Sequence, residues 1–533
     1  MEIASQAPGP MPPLVTDTTE VETPVQPATQ IGLARTAVLG ALGTTAIVMG
    51  ALLGGPSFEQ HLPGAWFFGM PGGPLGWLGT NETLPPVAAL ALIFGGLILL
   101  TRVWLGFLRY LKKNEGFPVK RVVLVVVIWA VPLLLAPPLF SRDVYTYAAQ
   151  GEMVSHGINP YVYGPNVLGS TPFNTFNDPY WGNHASPYGP NFLALDGGVD
   201  QASGHNFLID LTLLRLVEVA GVALMVAATP TLARWAKRDP AHAVLLGAGS
   251  PLVLLSLVAG DHNDAVMVGL LMAGLAVARR VGTVPGVIIC ALAAGVKSPA
   301  ALGVLFLGWV WAGPDAPTRW RVGHTALAGL IALATMEVAS LVSGYGWGWV
   351  STTTTAASAF TGVTPINVVA RGASVLTHVL QVPVSTVHLH PVFEVLGLLV
   401  AAYVVYWLLR RAPHDGVVRC LGLALLVLAL LSPIVWAWYV TWGVVVAAAA
   451  AVTTRMRTAL IVISTFWAFA GVTSVHNIQL RLAHTFVLTD LLLVTLLLAV
   501  AIMPLGQFAL TRAGRPRLPQ IGTRLAGAGA TTG

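Results

Sequence analysis

Long apolar runs recur along this chain, and they constrain its fold more than any other feature. Val122 to Leu139 carries no charged residue and is long enough to cross a bilayer. Runs of similar character cover 33–54, 86–108, 120–139, 207–232, 242–260, 264–279, 285–297, 299–312, 325–343, 392–411, 417–433, 435–453, 458–475 and 484–503. Of the 533 residues, 55% are hydrophobic and only 9% charged, where a soluble domain carries about a quarter. A soluble core cannot absorb this much apolar sequence. The expected fold is all-α, a polytopic membrane helical bundle of about 11–14 transmembrane segments. Two pairs of runs, 285–297 with 299–312 and 417–433 with 435–453, are short and divided by Pro299 and Pro433. Each pair is either two short helices or one broken re-entrant element.

Basic residues punctuate the runs at Arg109-Lys112-Lys113-Lys120-Arg121, Arg234-Lys237-Arg238, Arg279-Arg280, Arg319-Arg321, Arg410-Arg411, Arg455-Arg457 and Arg512-Arg515-Arg517. Threading fourteen spans puts all of them on one side. By the positive-inside rule that side is cytoplasmic, with both termini inside. The net charge of +6 is thus a topology signal, and no nucleic-acid surface is expected. Residues 1–30 lack Lys and Arg and read as a disordered tail, not a secretory signal peptide. Residues 31–505 form the membrane domain, and 506–533 a basic tail. Cys290 and Cys420 lie in apolar runs and are expected to pack as small hydrophobes.

The opposite, outer side receives the long loops 55–85, 140–206 and 344–391. The stretch Phe140 to Pro165 opens the longest. Arg142 and Asp143 sit where a span leaves the lipid, and Asp143, Tyr147 and Gly151 share one face of a short helix that Asn159-Pro160 ends. Asp143 is either a capping acid paired with Arg142 or a general base. Gly260-Asp261-His262-Asn263-Asp264 joins two spans with almost no loop. It is a polar hairpin or an active-site floor; a metal set has no recognisable spacing there. Lys297 before Ser298-Pro299 is a snorkelling lysine or a cation for a lipid phosphate, helped by the helix that Pro299 begins. Aromatics beside short polar groups in 171–205 suit carbohydrate or an interfacial loop. Arg371 is a second phosphate cation or an interface anchor. The aromatic kink Ser432 to Tyr439 lines a cavity or only packs. No ATP, dinucleotide or zinc motif occurs.

Ser-Arg-Asp-Val-Tyr-Thr-Tyr-Ala-Ala-Gln-Gly (141–151), Asn-Pro-Tyr (159–161), Ser-Pro-Tyr-Gly-Pro (186–190), His-Asn-Asp-Ala (262–265) and Lys-Ser-Pro-Ala (297–300) resemble the actinobacterial polyprenol-phosphomannose-dependent α-(1→6)-mannosyltransferases. The resemblance covers about 35–505, most of the membrane region by the span lengths above. It implies the C-type glycosyltransferase (GT-C) fold in the plasma membrane, with the active site on the outer side. The implied donor is polyprenyl-phosphate-mannose. The implied acceptor is a mannosylated phosphatidylinositol or lipomannan, and the leaning is towards the enzyme of the proximal mannoses. Asp143 would be the catalytic base of an inverting transfer to a 6-hydroxyl. Arg142, His262, Lys297 and Arg371 would hold the donor phosphate. Tyr145, Tyr147, Glu152, Tyr161, Tyr188, Asp261, Asn263, Asp264 and Trp438 would contact substrate. No cofactor or metal is expected. The rival reading is a proton-coupled transporter or flippase, which also uses intramembrane acids and broken helices.

Overall fold

The computed structural model describes residues 27–53, 84–352, 364–380 and 386–473. In chain order its helices are α1 (Pro27–Leu53), α2 (Pro86–Lys113), α3 (Val119–Leu135), α4 (Asp143–Ser155), α5 (Pro172–Phe176), α6 (Pro190–Ser203), α7 (Phe207–Trp235), α8 (Pro240–Leu246) and α9 (Pro251–Val253). They continue as α10 (Asp264–Arg280), α11 (Thr283–Ala294), α12 (Ala301–Trp311), α13 (Thr318–Ser343), α14 (Gly348–Thr352) and α15 (Pro365–Val379). The last four are α16 (Thr386–Asp415), α17 (Val417–Leu431), α18 (Ala437–Ala448) and α19 (Thr454–Thr473). Among the described residues there is no strand. Six helices are long and apolar enough to cross a membrane, or seven when α8 and α9 with its continuation are counted as one bent span. The protein is an all-α, multi-pass membrane protein.

Every expected span except 484–503, which lies outside the described residues along with loop 55–83 and both tails, coincides with a helix or a broken pair. The two doubtful pairs resolve as short helices. In α17 and α18, Gly422 lies against Ala447 and Gly443 against Leu426, the register of an antiparallel hairpin. Helices α11 and α12 meet where Gly303 faces Cys290. Both cysteines are buried and unbridged, as their apolar surroundings imply. The 344–391 stretch is not simply a loop, because α14, α15 and the start of α16 lie in it.

The stretch 140–206 folds into α4, α5, α6 and two short 3-10 turns. Helix α4 ends at Ser155, before the expected break at Asn159-Pro160. Gly157, at φ +71°, reverses the chain, and the Ile158 N–H reaches back to the Met153 carbonyl at 2.8 Å. Gly189 anchors this layer to the bundle. Its N–H donates to the Val296 carbonyl at 3.1 Å, and a Cβ on it would lie 2.3 Å from the Gly295 oxygen. Tyr188 is thereby held beside Lys297.

The span formed by α8 and α9 is bent by 47° and continues from α9 as a π-helix, Leu254–Ala259. Its last turn presents carbonyls that no helical N–H reaches. Outside donors satisfy them. The Ser256 carbonyl accepts from His262 Nδ1 at 2.6 Å, Val258 from Arg215 Nη2 at 3.2 Å, and Ala259 from the Leu139 N–H at 2.7 Å. Arg215, buried in α7, also donates to the Leu133 carbonyl at 2.8 Å and to the Ala136 carbonyl, both at the end of α3. Its Nε stands 3.4 Å from the Asp261 carboxylate.

One guanidinium thus joins three segments around the point where Asp143 and His262 meet. Arg215→Met is expected to cost about 3–5 kcal/mol, because it strands a buried carboxylate and its carbonyl partners. Arg215→Lys should recover little of that, since an ammonium lacks the fork that spans them. Thermal unfolding in detergent checks this. A lysine variant as stable as wild type would refute the staple.

Candidate active site

Helix α4 begins at Asp143, with Arg142 as the residue before it. The Asp143 N–H donates to Ser141 Oγ at 3.1 Å. Asp143 is therefore a first-turn acid, not the cap. Its side chain is 16% exposed, and His262 Nε2 lies 3.7 Å from Oδ2. Burial pushes the Asp143 carboxyl up to about 7; Lys297 pulls it down, Asp178 and Asp264 raise it, and a hydrogen bond with Tyr147 lowers it. Burial pushes His262 down to about 4, against the pull of Asp264 and the Ser256 carbonyl, with Lys297 lowering it further. The imidazole is therefore neutral near pH 7. Because Nδ1 faces the Ser256 carbonyl at 2.6 Å, the proton sits on Nδ1 and the Nε2 lone pair points towards Asp143.

His262 stacks on Trp438 with ring centroids 3.8 Å apart, and Trp438 stacks on Trp436 at 5.0 Å. The kink Ser432 to Tyr439 thus walls the site. Below it, Lys297 Nζ is 3.0 and 2.9 Å from the two Asp264 oxygens and 3.5 Å from Asn263 Oδ1. The Trp442 indole N–H also donates to Asp264 Oδ1. The ammonium lies over Tyr439 at 4.7 Å and beside Tyr188 and Trp442, both at 5.7 Å. Tyr147 packs edge-on against Tyr188 and Phe192, and its hydroxyl is 3.5 Å from the Asn263 N–H.

The structure therefore gathers Asp143, Tyr147, Tyr188, His262, Asn263, Asp264, Lys297 and Trp438, with Arg142 next to Asp143 in the chain at the start of α4. Lys297 is already engaged by Asp264, so it is not a free phosphate cation. Tyr161 stands behind, donating its hydroxyl to the Tyr188 carbonyl at 3.0 Å. Three of the expected contacts lie elsewhere. Tyr145 faces away, stacked on Phe207 at 6.2 Å. Asp261, with φ +50°, turns to Arg215, and burial pushes its carboxyl up to about 7 despite that cation. Glu152 lies at the far end of α4, against His205 and His156. Arg371 belongs to α15, but its side chain is outside the described residues.

Trp442 and Arg215 were not expected. Trp442 looks like one more apolar residue of a span. Arg215 did have a signal, being a charge within the apolar run 207–232 with Glu218 one turn later.

A polytopic helical bundle with a buried acid–imidazole pair under an aromatic wall is the class of protein that fold and site define. The chain belongs to the alpha-(1->6)-mannopyranosyltransferase family. The family model described as "Alpha-(1->6)-mannopyranosyltransferase, N-terminal domain" matches residues 37–313, and "MptB C-terminal domain" matches 366–506. A protein of Mycolicibacterium smegmatis named probable alpha-(1->6)-mannopyranosyltransferase is 30% identical over 524 residues, 90% of each chain. Alpha-(1->6)-mannopyranosyltransferase A of Mycobacterium tuberculosis is 32% identical over 446 residues, 80% of this chain and 82% of the relative. Alpha-(1->6)-mannopyranosyltransferase B of Corynebacterium glutamicum is 26% identical over 435 residues, 76% of this chain and 71% of the relative. No solved structure matches the chain significantly.

Lys297→Met should strand the fully buried Asp264 carboxylate and destabilise the protein by about 3–5 kcal/mol. Adding Asp264→Asn should return about 0.5–3 kcal/mol of it as coupling energy. A double-mutant cycle on thermal unfolding measures this, and strict additivity would sink the pairing.

Proposed function

We propose that the protein transfers mannose from polyprenyl-phosphate-mannose to the 6-hydroxyl of a mannan lipoglycan, with Asp143 as general base. The observation that carries this reading is the Asp143–His262 pair. A carboxylate with a pKa of about 7 is matched to taking a proton near neutral pH. The neutral imidazole lone pair beside it faces the same point, so a hydroxyl lodged there meets two acceptors.

Attack by the acceptor oxygen on the anomeric carbon forms the new glycosidic bond as the bond to phosphate breaks. The acceptor proton goes to Asp143, and the bonding pair leaves with the polyprenyl phosphate. A β-linked donor then gives an α product by inversion. Lys297 lies close enough to lower the Asp143 pKa, though its partner Asp264 raises it, so in this reading the ammonium is the nearer cation to an anion beside Asp143. Arg142 and Arg371 are the further cations of this reading. Tyr147, Tyr188 and Trp438 pack around the Asp143–His262 pair and Lys297 and, in this reading, shape the wall that the sugar meets. The acceptor is a mannosylated phosphatidylinositol or lipomannan in the same membrane.

The active site faces outward in this proposal. Lys112 and Lys113 end α2, Lys120 and Arg121 begin α3, Arg234 ends α7, Arg279 and Arg280 end α10, and Arg410 and Arg411 lie near the end of α16. Asp143 and Asp264 stand at the other ends of their spans, which supports an outer site under the positive-inside rule.

The test is mannose transfer by membranes given polyprenyl-phosphate-mannose and a short α-(1→6)-mannoside. Asp143→Asn should keep the fold and lose about 10²–10⁴ in rate. Only the ionised base is active, so the wild-type rate should fall as pH drops below about 7, towards tenfold per unit. That limb should vanish from the residual rate of the variant. An Asn variant with full activity removes Asp143 as the base. Substrate movement without release of polyprenyl phosphate would replace the transferase reading by transport.

A further inference from the structure

At the far end of α4, Glu152, His156 and His205 each offer one ligand atom, and all three atoms lie within 4.8 Å of one another. Asp200, at the end of α6, joins them. Its Oδ2 is 2.7 Å from His205 Nδ1, and the Ser155 hydroxyl donates to the same oxygen at 2.5 Å. Three features make this more than a patch of surface charge. First, the Asp200 side chain is fully buried, and its Oδ1 has no hydrogen-bond partner among the described residues. Second, His205 adopts φ +60° directly after Gly204 at φ +63°. A non-glycine residue in the left-handed region is uncommon, and here it turns the imidazole back onto both acids. Third, the two histidines are about half exposed, at 52% and 48%, so an ion in the outer aqueous phase reaches them.

We propose that Glu152, His156, Asp200 and His205 form a divalent transition-metal site of the zinc class. Two imidazoles with two carboxylates suit zinc, cobalt or nickel and are a poor set for calcium or magnesium, which want oxygen alone. Three atoms no further than 4.8 Å apart leave each within about 2.8 Å of a common point, and a side-chain movement of about an ångström brings them to the ~2.0–2.2 Å of zinc ligands. The charge also balances: two neutral imidazoles and two carboxylates cancel a dication. Without such a cation the acids crowd each other. A bound metal would tie α4 to the link between α6 and α7 and hold the outer layer on the bundle. The site is separate from Asp143 and independent of the proposed transfer chemistry.

The test uses full-length protein without a polyhistidine tag, in nanodiscs, stripped with chelator and titrated with Co2+ and then Zn2+. One equivalent of Co2+ should bind with visible d–d absorption, and Zn2+ should displace it. Zn2+ should also raise the thermal unfolding midpoint. His156→Ala and His205→Ala should each weaken Co2+ binding at least tenfold and abolish the thermal shift, while His184→Ala should leave both unchanged. If an alanine variant fails to fold, His205→Gln and Glu152→Gln make the same test with side-chain size kept. The proposal is overturned by no stoichiometric uptake, by uptake that survives both histidine changes, or by His205 titrating freely with saturating Zn2+ present.

Discussion

The fork of Arg215 is the interaction on which the layer built from residues 140–206 depends. Where α3 and the π-helical segment end, their last carbonyls lie inside the bundle, away from water. An unpaired carbonyl there costs as much as a lost hydrogen bond. Arg215 reaches the Leu133, Ala136 and Val258 carbonyls and stands against Asp261. The Leu139 N–H and the His262 ring take two more carbonyls of the π segment. Asp143 follows Leu139 by four residues, and His262 follows Asp261 by one. The distance between Asp143 and His262 is therefore set by how two helix ends are satisfied.

The same economy governs the charges. Each buried acid near the site has its own answer to desolvation. Asp264 is paired with Lys297, with the Trp442 N–H on one oxygen. Asp261 has Arg215. Asp143 stands 3.7 Å from the His262 ring, which burial keeps neutral. Burial pushes Asp143 and Asp261 alike up to about 7, so what sets Asp143 apart is its place beside His262 and not its proton affinity, although all three residues follow or begin apolar runs in the sequence.

Much of the fold was legible because hydrocarbon leaves a chain few choices. Backbone groups must be paired within the segment, so long apolar runs are helices. A short helix carrying Asp143 was readable for a related reason, since polar residues at span ends need partners, but the pairing of Lys297 with Asp264 was not, because nothing in the sequence brings the two spans together. Side-chain direction in α4 was not readable. Every residue from Val144 to Met153 is buried, so no polar face marks the helix's orientation. Tyr145 and Tyr147 look equivalent in sequence; one packs on Phe207 and the other meets Asn263. Glu152 was visible as an acid near a helix end, but its partners His205 and Asp200 come from another helix and a left-handed turn. Trp442 gave no signal because an indole in a span is ordinary until its N–H finds a carboxylate.

Helix α4 links these observations. Its first residue faces His262, and its tenth, Glu152, faces His205. Nine residues at the helical rise separate them by roughly 13 Å. Between them, Gly151 rests on the backbone of Asp196, where a Cβ would come within 2.7 Å of the carbonyl oxygen. Gln150 accepts from the Ser186 hydroxyl at 2.9 Å, and the Thr146 hydroxyl donates to Asn177 at 2.7 Å. A helix buried on all sides and pinned along its length moves as a rod, since close-packed interiors transmit displacement instead of absorbing it. Contacts at the Glu152 end of α4 and contacts at its Asp143 end are therefore made by one rigid element.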